Sequence, residues 1–425
     1  MGDFLSKHLI IGAGFSGLGC GAAFREKGIP FDMVEAAPDL GGNWRHGVYE
    51  TVHIISSRKT TEYSDFPMPS DWPDFPSAAQ MLRYLNSYAE HHQLRPRISF
   101  STSVERVSDA GGGRWRVELS NGETRVYGGV VVASGHHWDK RFPSYPGQFS
   151  GEIIHSKDYK RPEQLRDKRV LVIGGGNSAC DIAVEAGRVG KSSLLSLRRG
   201  YWFLPKTMLG MPTVEIMRPW MPVWAQRLML RALLRIVVGK YEDYGLPHPD
   251  HRMFTRHPTL NSELLYSLRH GRVTPKPDIA RYQGREVLFT DGSRAEVDLI
   301  VAATGYHMSV PFLAPGLLAY QNGVPQVISS CFPTRHRNLY FFGFGQPRYG
   351  AGPLIREGAK SLAVAVEVQR SLKHPVGTLL AAMGQRPPKT VLQDPFQVIR
   401  QARRGRKLLP RLARLEPVLV RDSTP

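Results

Sequence analysis

HLIIGAGFSGLGCGAAFREKGIPFDMVE, residues 8–35, decides the fold class. HLIIG reads as a buried strand, GLGCGAAFREKG as a helix with small residues on its inner face, and FDMVE as the next strand. The turn between the first strand and the helix is G-x-G-x-x-G. Gly12 permits the tight bend, Gly14 lets backbone approach a pyrophosphate, and Gly17 lets helix pack close on strand. Phe15 and Ser16 open the helix, whose N-terminal N–H groups and positive potential suit a phosphate. Glu35 ends the second strand, 18 residues after Gly17. A carboxylate there accepts hydrogen bonds from ribose hydroxyls and repels a 2′-phosphate, so FAD or NAD is expected rather than NADPH.

The same logic recurs at GGGNSA, 174–179. RVLVIGG reads as a strand, NSACDIAVEAGRVG as a helix and SSLLSLRR as the following strand. Gly174, Gly176 and Ala179 take the three glycine positions, alanine being tolerated at the third. Asn177 and Ser178 add donors near the phosphates. Here the acid at the end of the next strand is replaced by Arg198 and Arg199, and a guanidinium pairs bidentately with phosphate. This second site should prefer NADPH. The fold expected is α/β, with two Rossmann-like dinucleotide-binding domains for FAD and NADPH. The second is inserted in the first, and both are three-layer ββα units. The expected boundaries are 1–148 and 297–390 for the FAD domain and 149–296 for the NADPH domain. A helical insertion at about 219–256 belongs to the second, and a basic tail covers 391–425. VLFTDG and VDLIVAATGY read as strands leading back to the first domain.

The 425 residues suffice for two or three domains. Cys20, Cys180 and Cys331 are too scattered for a disulfide framework or zinc site, and a reducing, cytoplasmic setting is the simplest reading. No apolar run reaches the roughly 18 residues of a membrane span, and the first strand starts too early to leave room for a signal peptide. Met1-Gly2 with Ser6 matches a myristoylation pattern by chance. The formal charge of +19 is read as a basic surface that attracts phosphorylated cofactors. No nucleic-acid module is present. Arg227, Arg231 and Arg235 fall four apart on an apolar helix, and Arg400 to Leu415 is strongly basic. Peripheral membrane contact is the weaker reading of both; a cover over the substrate entrance and a solvated helix are the stronger.

Between the two turns lies FSGEIIHSKDYK, 149–160, with Phe149, Gly151, His155, Tyr159 and Lys160 in the pattern F-x-G-x-x-x-H-x-x-x-Y-K. It resembles the fingerprint of the flavin-containing monooxygenases. The resemblance extends to GGNW at 41–44, YSDFPMP at 63–69, HPTLNS at 257–262, ATGY at 303–306 and NLYFFGFGQ at 338–346. It implies that Gly42, Asn43 and Trp44 cover the flavin, that Ser56 and Gln346 approach it, and that Thr304 lies toward NADPH. Baeyer–Villiger enzymes usually carry Trp-Pro or Trp-Asp where this chain has Tyr159-Lys160. Disulfide reductases are excluded, because no two cysteines lie within 100 residues of each other.

The resemblance also implies a reaction: NADPH reduces FAD, O₂ gives a C4a-hydroperoxyflavin, and a small substrate with a soft nitrogen or sulfur takes the oxygen. His155 is expected to join domains and not to move protons. No side-chain nucleophile is needed, and no metal site is expected. One departure stands out. The animal enzymes carry an asparagine where YSDFP alignment places Ile55. An uncoupled NADPH oxidase releasing peroxide is therefore kept as an alternative, as is oxygenation of a ketone or keto acid.

Overall fold

The computed structural model describes residues 4–420; the Met1-Gly2 pattern lies outside them. Strand β1 (His8–Ile11) passes through the glycine turn into α1 (Phe15–Glu26) and on to β2 (Phe31–Val34). The proline-rich stretch that follows holds one-turn helices at Asn43–His46 and Arg58–Thr61. Helix α2 (Ala78–His91) is started by Ser77: its hydroxyl accepts from the Gln80 amide while the Gln80 side chain accepts from the Ser77 amide. Next come β3 (Ile98–Ser99), the ribbon β4 (Val104–Gly111), β5 (Arg114–Leu119) and β6 (Thr124–Tyr127), and then β7 (Gly129–Val132).

The chain then builds a second unit. Its strands are β8 (Gly147–Phe149), β9 (Glu152–His155), β10 (Arg169–Ile173) and β11 (Ser192–Ser196), with α3 (Asn177–Val189) between the last two. The insertion carries α4 (Val223–Val237), followed by α5 (Glu263–Arg269) and β12 (Thr274–Lys276). Strands β13 (Ile279–Gly284), β14 (Glu286–Phe289), β15 (Arg294–Glu296) and β16 (Leu299–Ala302) finish the unit. Back in the first unit are β17 (Leu339–Phe341), α6 (Gly352–Gln369), α7 (Pro395–Leu408) and α8 (Leu412–Leu419).

Each unit is a five-stranded parallel sheet, ordered β17-β7-β1-β2-β3 in the first and β9-β16-β10-β11-β12 in the second. Period-two alternation sends neighbouring side chains to opposite layers. Ile10 and Val131 face α1, α2 and α6, while Leu9, Ile11, Val130 and Val132 face the β4–β6 ribbon. In the second sheet Val170, Val172, Leu299 and Val301 face the helices, and Leu171, Ile173 and Ile300 face a β8/β13–β15 sheet. Both units are thus ββα sandwiches, as expected.

Two expectations are corrected. VLFTDG supplies β14, and VDLIVA supplies β16, which lies between β9 and β10 inside the second sheet. Neither is a strand of the first unit, although the second runs on through Ala303–Tyr306 into the crossing. The crossings fall at Asp139–Lys140 and Tyr306–His307, which pair with each other as an antiparallel ribbon. We therefore draw the second unit between these crossings rather than at 149–296. The segment after 391 is not a free tail either. Gln346–Pro347 pairs with Leu392–Gln393, α7 lies on α6, Arg403 and Arg406 pair with Glu357, and Leu409 and Leu412 are buried.

Candidate functional site

The two glycine turns have matching geometry. Gly12 has φ +103°, and a Cβ on it would lie 2.8 Å from the Ala133 carbonyl oxygen at the end of β7. Gly174 has φ +130°, and its Cβ would lie 2.4 Å from the Ala303 carbonyl oxygen after β16. Any side chain would drive the turn off the neighbouring strand end. Gly17 packs on the carbonyl of Gly12, where a Cβ would sit at 1.9 Å, and Ala179 fills the equivalent place in the second unit. A Cβ on Gly176 would meet nothing within 4 Å, so the mouth of the second turn is open.

Around the first turn, Glu35 is buried, with Oε2 accepting from the Ala13 amide at 2.7 Å and Oε1 from the Ala37 amide at 3.0 Å. It therefore braces the turn as well as presenting a carboxylate. The Gly41-Gly42 loop lies directly on it: a Cβ on Gly42 would come within 2.9 Å of Gly14 Cα. Asn43 is exposed, and Trp44 is half-buried against the first core. Phe15 stacks on Tyr63 at 4.6 Å between centroids, and Ser16 faces Gly343. The Gln346 amide donates to the Val391 carbonyl, so its backbone serves the strand pair with the 392–393 segment.

Around the second turn, HPTLNS plays a part that its sequence did not reveal. Thr259 Oγ1 donates to the Gly175 carbonyl at 2.7 Å, and Asn177 Oδ1 accepts from the Leu260 amide at 2.8 Å. Asn177 is thus engaged by the protein itself. Tyr201 also went unforeseen. Its ring lies where a Cβ on Gly175 would fall at 2.5 Å, and Arg199 stacks over it at 5.2 Å. Arg198 stands exposed after β11. Thr304 is committed to the crossing: its hydroxyl donates to the Arg141 carbonyl, and its own carbonyl accepts from Arg141.

The fingerprint ties the units together. His155 is fully buried; Nδ1 accepts from the Lys157 amide at 3.1 Å, which leaves Nε2–H to donate to the Gly305 carbonyl at 3.0 Å. Burial holds its pKa below the ordinary value, so it stays a neutral structural group. Tyr159 donates to Glu185 on α3, which also accepts from Thr51 of the first unit. Lys160 donates to the His46 and Val48 carbonyls, just past the Trp44 loop. A parallel link joins Tyr49 Oη to Asp181 Oδ2 at 2.6 Å, with Asn261 donating to the other oxygen. Burial pushes the Asp181 carboxyl up. Asp298 is structural, clamped by Arg169 and Arg285, and these partners hold its carboxyl well below the usual range.

Ile55 packs against the apolar core of the second unit. The Ser56 hydroxyl is bonded to Thr61, and the Ser57 hydroxyl to Thr60. Neither stands in for a free amide donor.

Two dinucleotide turns, one braced by a glutamate and one beside a strand that leads into an arginine pair, in units bridged by hydrogen bonds, define an oxidoreductase that joins a flavin to a nicotinamide cofactor. Residues 6–360 match the family model described as flavin-binding monooxygenase-like, and the chain belongs to that family. Its cofactors are FAD and NADP(H). It is 32% identical over 343 residues to flavin-containing monooxygenase 5 of Oryctolagus cuniculus, a match covering 74% of this chain and 64% of that protein. The chain thus spans just under two thirds of that relative's length. It is 32% identical to the probable indole-3-pyruvate monooxygenase YUCCA9 of Arabidopsis thaliana, over 80% of this chain and 85% of the relative. The flavin-containing monooxygenase of Stenotrophomonas maltophilia superposes with TM-score 0.64 at 22% identity, over 85% of this chain and 98% of that one, and shares the fold.

Proposed function

We propose that this chain is an NADPH- and O₂-dependent monooxygenase that transfers oxygen to nitrogen or sulfur of a small, uncharged soft nucleophile. The observation that carries the reading is the pair of matched turns with a carboxylate at one and Arg198 at the other, joined through Tyr159 and Lys160. Gly12, Gly14, Phe15, Ser16, Gly17, Glu35 and the Gly42–Trp44 loop, with Ser56 and Gln346, would hold FAD. Gly174, Gly176, Asn177, Ser178, Arg198, Arg199 and Thr304 would serve NADPH. The bound flavin supplies the oxygen chemistry, while the protein binds, orients and shields it. Arg198 selects the phosphorylated nicotinamide cofactor, and the Tyr159–Glu185–Thr51 bridge keeps the two sites in register. The three cysteines are unpaired and buried, which supports a reducing, cytoplasmic setting. No helix among the described residues is long and apolar enough to cross a membrane.

The test is a balance sheet of NADPH consumed, product formed and peroxide released, across tertiary amines, sulfides, ketones and keto acids. Product matching NADPH with an amine or sulfide is the expected result. Peroxide equal to NADPH with every compound would overturn it in favour of an NADPH oxidase. That second reading rests on Ile55, which offers an apolar contact where an amide donor is expected, with both neighbouring hydroxyls engaged. Under it, Ile55→Asn shifts the balance from peroxide toward product.

A further inference from the structure

Seven of the fifteen exposed large apolar side chains among the described residues lie between Leu209 and Val237, on or beside the insertion. Trp220 is 78% exposed, Trp224 68%, Leu228 65% and Ile236 81%. Helix α4 buries Gln226, Leu230 and Leu234 and leaves its other side open. Trp224, Leu228, Arg231 and Arg235 follow one another at intervals of four, three and four, so they share that open face. No acidic residue occurs between Glu215 and Glu242.

A second basic element adjoins it. Arg400 on α7 donates to the Pro219 carbonyl at 3.1 Å, next to Trp220. Arg400, Arg404 and Lys407 recur at helical spacing on the exposed side of α7, whereas Arg403 and Arg406 are paired with Glu357. Arg218, Arg231, Arg235, Arg400 and Arg404 form no ion pair among the described residues, although seventeen arginine or lysine side chains elsewhere do. Two exposed indoles and two exposed aliphatic side chains are thus framed by guanidinium groups without a carboxylate partner, Arg231 lying over the Trp202 ring and Arg400 holding the Pro219 carbonyl.

We propose that this face docks on an anionic lipid bilayer. Indole and guanidinium both suit the headgroup layer, the first through its amphipathic ring and the second by pairing with phosphate. Leu228 and Ile236 would reach the acyl boundary, as in interfacial amphipathic helices. A second copy of the chain is a poorer occupant, because a two-fold contact through this face would set Arg231 and Arg235 against their own counterparts. A nucleic acid would pair with the arginines but leave Leu228 and Ile236 in water.

The test is flotation of the full-length holoenzyme with vesicles of phosphatidylcholine alone, or with about 30% phosphatidylserine, at ~0.15 M salt. The enzyme should float only with the anionic vesicles, with its tryptophan emission shifted to the blue. Arg231→Ser with Arg235→Ser should lower the partition about tenfold or more. Trp220→Ser with Trp224→Ser should remove the blue shift while leaving flavin content and NADPH oxidation in solution unchanged. Failure to float with anionic vesicles, or equal flotation of the wild type and both variants, would overturn the proposal. So would a wild-type dimer that the tryptophan variant converts to monomer without any vesicle binding, which would assign the face to self-association.

Discussion

Glu35 is the first residue past β2 and Arg198 the second past β11, and the two differ in sign. If Arg198 contacts the 2′-phosphate, Arg198→Ala removes a charge-assisted pair. KM for NADPH should rise roughly tenfold to a hundredfold, with KM for NADH little changed. Steady-state kinetics with both cofactors checks this; equal effects would take Arg198 away from the phosphate. Gly12→Ala belongs to the same scale. A Cβ on that residue meets backbone, so the purified variant should lose its flavin, and a retained yellow colour would count against the first site. His8 reports on stability. Both its ring nitrogens are buried without partners among the described residues, and burial lowers its pKa from 6.5 to about 4. Between these values the unfolded chain takes up a proton that the folded chain refuses. Stability should therefore be intact above pH 6.5 and fall as pH drops toward 4, by roughly 3 kcal/mol from this group. Denaturant midpoints at several pH values measure the slope, which His8→Leu should flatten.

At the scale of elements, the bridge between units is the part open to test. Tyr159→Phe leaves the ring in place but deprives Glu185 of a donor. We expect the flavin to stay bound while the share of NADPH ending as peroxide rises several-fold, the loss of one charged hydrogen bond being about 1.5–3 kcal/mol. An unchanged share would confine Tyr159 to packing. The strand–turn–helix units were legible because each is local: an apolar run, a glycine turn and a small-faced helix all lie within 28 residues of sequence. For His155 the structural part of the expectation agrees with its two backbone partners, Lys157 and Gly305, but both lie in the second unit, and the joining falls to Tyr159 and Lys160 instead. The placement of Leu299–Ala302 was not legible, because an all-apolar strand is equally at home in either parallel sheet and only long-range pairing decides. The role of Thr259 escaped notice because it acts on a turn 84 residues away in sequence, and that of Tyr201 because nothing local marks which ring will cover Gly175. The basic C-terminal segment concealed its packing for another reason: Leu409 and Leu412 are few among many arginines, yet they carry the contact.

At the scale of the molecule, one chain builds two similar sandwiches, the second placed within the first. The first sheet takes its strand β17 from beyond the insertion, so it cannot be completed until the second unit has been synthesised. Its five strands nevertheless need nothing from the second unit. Replacing residues 142–304 by a short glycine-serine linker should leave a first unit that melts cooperatively. It should do so at a lower temperature than the parent, because Tyr49, Val52, Ile55 and Tyr349 lose apolar cover. Scanning calorimetry decides, and a chain without a transition would show that the first unit depends on the second. The ribbon formed by Asp139–Lys140 and Tyr306–His307 makes this replacement feasible, since both ends of the inner unit leave the outer one side by side. To a lineage of genes the same ribbon is a docking port. An inner unit with a different cofactor preference can be exchanged as a cassette at these two points, leaving the flavin half of the reading frame untouched.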